Sequence, residues 1–142
     1  MMKIKISNFK RLIGIWKTTG KISVGNETRK LNGTDCYEFI LDGNYILHKA
    51  DVLMGNENNE TFEIITLGNT ADIARMQYFN SKGESGIMTS EINNNGFKIE
   101  GNGLKFSGTI NDKNSEIVGN WYLQTENNDW VPFIELKLEK QN

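Results

Sequence analysis

The residues best suited to chemistry are Glu38 and His48, the latter the only histidine in the chain. A hairpin joined through Asp42-Gly43-Asn44 sets them opposite each other on neighbouring strands, on one face and within hydrogen-bond reach. A carboxylate beside an imidazole orients its tautomer, tunes its proton affinity or meets the polar head of a ligand. The plainer role is a buried polar pair that satisfies itself. In an enzyme, His48 would be the base and Glu38 the group that orients it. No nucleophile stands beside them, although Ser90 and Thr66 share their parity.

Other chemistries find less support. One histidine, one cysteine and scattered carboxylates show no metal-site spacing. Gly101-Asn102-Gly103 has neither the Lys-Ser/Thr signature nor the following helix of a phosphate loop. No metal and no cofactor is therefore predicted. Cys36 is alone and reads as a small strand hydrophobe. A net charge of −2 gives no attraction to nucleic acid or to an anionic membrane. The first residues lack a signal-peptide core, and no apolar run reaches the ~20 residues of a membrane helix. A cytoplasmic location is the default expectation.

The elements that must position Glu38 and His48 are strands. With 142 residues, 37% of them hydrophobic and 24% charged, the chain suits one domain over residues 1–142. Ser7 caps a short helical turn through Leu12, placing Phe9 and Leu12 on one face to lid an end of the sheet. From Gly14 onward, glycine and asparagine turn signals recur at the ~8–12-residue spacing of a sandwich or barrel. Pro132 is the only proline, as a chain of ladder-forming strands requires.

Side chains alternate along strands, so one inner face can be followed through the turns. It carries Trp16, Gly20, Ile22 and Val24, then Glu38 and Ile40, then His48, Ala50 and Val52. It continues through Phe62 and Ile64, Met76 and Tyr78, Gly86 and Met88. It ends with Phe106, Gly119, Trp121 and Leu138. The exceptions, Tyr37, Phe39, Ile65, Ile87, Val118, Tyr122 and Phe133, fall on the outer face. A meander with one inner face is best satisfied by closure. The expected fold is all-β, a single antiparallel up-and-down β-barrel of about eight to ten strands with a short N-terminal helical turn.

Gly14-Ile15-Trp16 near the start resembles the opening of lipocalin-type barrels. Further segments resemble a bacterial lipocalin-like family known mainly as a domain of unknown function. These are Gly33-Thr34-Asp35-Cys36-Tyr37-Glu38-Phe39, Tyr45 to Gly55, Glu63-Ile64-Ile65, Met76 to Gly83, Gly119-Asn120-Trp121 and Asp129 to Phe133. Phe39 stands where that family tends to carry Trp. The resemblance, spanning about Leu12 to Leu138, implies a calycin-type barrel with an internal cavity and carries over no catalytic residue. Haem-binding barrels resembling nitrobindin also open with Gly-x-Trp. Their axial histidine lies toward the C-terminus, whereas His48 is in an early strand.

The expected function is binding of a small hydrophobic molecule in the interior. Trp16, Glu38, His48, Phe62, Met76, Tyr78, Met88, Phe106 and Trp121 are the candidate ligand-binding residues. Inner glycines leave room for it. One alternative is a filled barrel, monomeric or homodimeric, acting through outward Tyr37, Phe39, Tyr122 and Phe133; the other is an enzyme using Glu38 and His48.

Overall fold

A computed structural model describes residues 2–141, so both extreme ends of the expected 1–142 domain lie outside the described residues. Ten antiparallel strands close into a barrel. They are β1 (Gly14–Val24), β2 (Glu27–Ile40), β3 (Tyr45–Met54), β4 (Glu57–Leu67) and β5 (Ile73–Asn80). The second half is β6 (Ser85–Asn93), β7 (Gly96–Gly101), β8 (Leu104–Ile110), β9 (Glu116–Gln124) and β10 (Trp130–Lys140). Each strand pairs with its sequence neighbours, and β1 closes the ring on β10 from Trp16↔Lys140 to Ile22↔Ile134. Closure leaves no sheet edge unpaired.

Two 3-10 turns, Ile4–Ile6 and Asn8–Leu12, plug one end. The Ser7 hydroxyl accepts from the Phe9 amide at 3.1 Å, which starts the second turn as the sequence predicts. Ile4, Phe9 and Leu12 are fully buried, and Trp16 lies among the same core residues with its indole N–H donating to the Leu12 carbonyl at 2.7 Å. Arg11 ties the plug to the hairpin loops at this end. Its guanidinium donates to the Asn94 carbonyl, to Asn114 Oδ1 at 2.5 Å and to the Asn111 carbonyl at 3.1 Å.

Small residues set the spacing of the opposite wall. Gly108 and Gly119 pair across β8 and β9, and the Phe106 ring lies against both. A Cβ at Gly119 would come within 2.6 Å of the Gly108 Cα and of the Ser107 carbonyl oxygen. That space is what lets Phe106 turn inward, and no larger residue fits without moving backbone.

The expected register fails at two strands. Ile40 pairs with Tyr45, so the β2–β3 turn spans Leu41 to Asn44 rather than three residues. Leu41 adopts a φ of 50°, a left-handed conformation its side chain does not advertise. This one-residue change puts Tyr37, not Glu38, opposite His48. Glu38 pairs with Leu47 and is exposed on the outer surface. A two-residue turn at Gly55-Asn56 then places Glu63 opposite His48 and turns Phe62 outward. The β4–β5 connection restores the parity, so Met76 and Tyr78 point inward as expected.

Candidate functional site

The interior above the plug holds a cavity of about 620 Å³. Its two walls differ. On β6 to β9 the wall is apolar: Met88, Phe97, Phe106 and Trp121 line it, with Phe106 at 5.5 Å from both aromatic neighbours. Edge-on and tilted contacts of this kind fix aromatic rings in place. A register shift in β10 between Pro132 and Ile134 brings Phe133 and Ile134 together onto the lining. Phe133 is therefore not the outward residue that strict alternation requires.

On β1 to β4 the wall is polar, built from alternate residues of four adjacent strands. His48 of β3 stands directly opposite Glu63 of β4 and Tyr37 of β2. Its Nδ1 is 2.9 Å from Glu63 Oε1, and its Nε2 is 2.7 Å from Asp35 Oδ1. Thr18 of β1 donates its hydroxyl to the other oxygen of Asp35. The Tyr37 ring stacks on the imidazole, centroids 4.0 Å apart and planes within 6°.

Burial opposes a charge on His48, but the hydrogen bonds and negative charges of Asp35 and Glu63 outweigh it and lift the pKa from 6.5 to about 9. The ring is an imidazolium at neutral pH, both N–H groups donating to carboxylates. Burial, reinforced by Asp35 and Glu63, pushes the Tyr37 phenol well above its usual 10, so it stays neutral. The Tyr37 hydroxyl lies at the cavity without a hydrogen-bond partner among the described residues.

Of the sequence-predicted residues, the structure gathers His48, Tyr78, Met88, Phe106 and Trp121 around the cavity. Trp16 and Met76 are fully buried in the core outside the lining. Glu38 and Phe62 face away from the interior, Phe62 being 45% exposed. The Glu38–His48 pair is thus replaced by Asp35–His48–Glu63; neither carboxylate is among the sequence-predicted partners of His48. The outward patch of Tyr37, Phe39, Tyr122 and Phe133 is not assembled either, because Tyr37 and Phe133 line the interior. Among the described residues no cluster of three or more candidate ligands is arranged to hold a metal ion. No helix among them is long and apolar enough to cross a membrane.

No protein-family model and no curated protein matches this sequence. Solved structures do match its shape. Rv2717c from M. tuberculosis superposes with a TM-score of 0.72 over 94% of this chain and 95% of that one, at 9% identity. The S-type phycobiliprotein lyase CPES from Guillardia theta gives 0.57 over 99% and 93%, at 8% identity. The chain shares their fold. These likenesses fit a lipocalin-like barrel, and at such identities they speak for the fold alone.

Proposed function

We propose that the protein binds a small, largely apolar molecule inside the barrel, its polar end against the His48 cluster. The observation that carries this reading is the cavity itself. Its volume of about 620 Å³ falls in the ~300–1,000 Å³ range of small-molecule sites. Like those sites, it combines an aromatic wall with a few convergent polar groups. Filling by side chains stops at the plug, so a filled interaction barrel fits the interior less well. An enzyme with His48 as base fits less well too: both ring nitrogens are engaged as donors, which leaves no lone pair to take a proton. We take the chain to be a single-domain member of the lipocalin-like group it resembles, acting in the cytoplasm; its lone cysteine suits a reducing compartment.

Native mass spectrometry of the freshly purified protein tests the reading, with Nile red as an added neutral probe. The expected result is a bound mass lost on denaturation, or dye binding, either of them weakened by Ala50→Phe, which places a ring in the cavity. A clean mass together with no dye binding overturns it.

A further inference from the structure

The polar wall can be counted as donors and acceptors. Both N–H groups of His48 are engaged, one by Asp35 and one by Glu63. The second Asp35 oxygen accepts from Thr18. Beside His48, two polar groups open onto the cavity with no hydrogen bond to another described residue, the second Glu63 oxygen and the Tyr37 hydroxyl; Asn59 and Thr61 add neutral polar groups farther along β4. Glu63 and Tyr37 are more than nine-tenths buried, at 8% and 6% exposure. One is an acceptor only, and the other accepts as well as donates.

Charge points the same way. Among the described residues no lysine or arginine lines the cavity, whereas Asp35, Glu63 and, at the rim, Glu84 do. Among the described lining residues His48 is the only cation, and its charge is already shared between two carboxylates. An anionic head group would meet excess negative charge and find the imidazolium donors occupied. A neutral hydroxyl would gain ordinary hydrogen bonds. An ammonium has three donors and no acceptor, the complement of a free carboxylate oxygen beside a phenol oxygen. Hydrogen bonds between ionised partners are roughly twice as strong as neutral ones.

We propose that the cavity selects an organic cation: a small hydrophobic amine whose ammonium donates to Glu63 and Tyr37 while its apolar body lies on Phe106 and Trp121. The assignment rests on the binding reading above and names the ligand class for that same cavity. The raised pKa of His48 is consistent with it, since the cluster holds one positive charge against two negative ones at neutral pH.

A matched series separates the two ideas. Decylamine, decan-1-ol and decanoate share a chain and differ in head group; each is titrated calorimetrically at pH 7, below its micelle concentration. Decylamine should bind at least about tenfold tighter than decanol, with decanoate weakest. Glu63→Gln should reduce the amine-over-alcohol preference to about threefold or less while decanol binding persists. If that variant fails to fold, the wild-type series still decides. Equal affinities, or decanoate matching decylamine, overturn the amine assignment and leave cavity binding intact. Binding of none of the three overturns the amine proposal, and the binding reading falls with it only if the native mass is clean and Nile red does not bind either.

Discussion

At the plugged end of the barrel, Ile4, Phe9, Leu12 and Trp16 fill the interior with no exposed surface. At the other end, Asn59, Asn80, Glu84 and Asn102 rim an open cavity, and the carboxylates and imidazolium lie between the two. Both ends are built from the same short hairpins. The difference comes from about a dozen N-terminal residues, which supply apolar side chains and the Arg11 clamp to one end only. If the cavity binds as proposed, stability and binding separate along the barrel axis: substitutions in the plug should move the first and those near the rim the second.

Trp16→Ala should show the largest effect. The indole is fully buried and donates to the Leu12 carbonyl, so truncation leaves both a void and an unmatched acceptor. A loss of about 3–5 kcal/mol is expected in urea unfolding. The protein that remains folded should bind Nile red with wild-type affinity. A large affinity loss in the folded fraction would break the proposed separation.

The middle layer belongs to both ends, and pH exposes it. A folded-state pKa raised above the unfolded value of 6.5 contributes stability that is complete below pH 6.5 and disappears as pH rises through about 9. The rise from 6.5 to about 9 corresponds to on the order of 3 kcal/mol lost across that window. Of the groups facing His48, Tyr37 stays neutral throughout, and Asp35 and Glu63 supply the opposing charge. Because His48 is the only histidine, its single imidazole NMR resonance reports the titration directly. A midpoint near 6.5, or a flat stability profile in wild type, would show that the ion triad does not form.

The closed barrel, the capped turn at Ser7 and the inward face of β3 were all legible in the sequence, because alternation and turn chemistry are local. The site was not, for two reasons. Leu41 takes a left-handed conformation that its residue type does not signal, and that single position decided whether Tyr37 or Glu38 met His48. Alternation also assigns acids to the surface, which hid Asp35 and Glu63 as partners of a buried cation. A usable signal was nevertheless present. Of the apolar residues that strict alternation forces outward, Tyr37 lies on β2 and Ile65 on β4, and both prove buried. Shifting those two strands by one residue removes both exceptions at once and brings the carboxylates onto the histidine.

The smallest expected effect sharpens the contrast from the open end. Glu84 is exposed at the rim, where its backbone amide and carboxylate both hydrogen-bond the Asn80 side chain. Glu84→Gln keeps the shape and that turn while removing one negative charge, so unfolding free energy should stay within about 0.5 kcal/mol of wild type. Decylamine affinity should fall by about twofold, less than for Glu63→Gln, because a solvated charge acts through high dielectric. The reduction should shrink further in 1 M salt, where screening is nearly complete over ~3 Å. A stability change larger than the binding change would place Glu84 with the plug, and the division of the barrel into a stabilising end and a binding end would not hold.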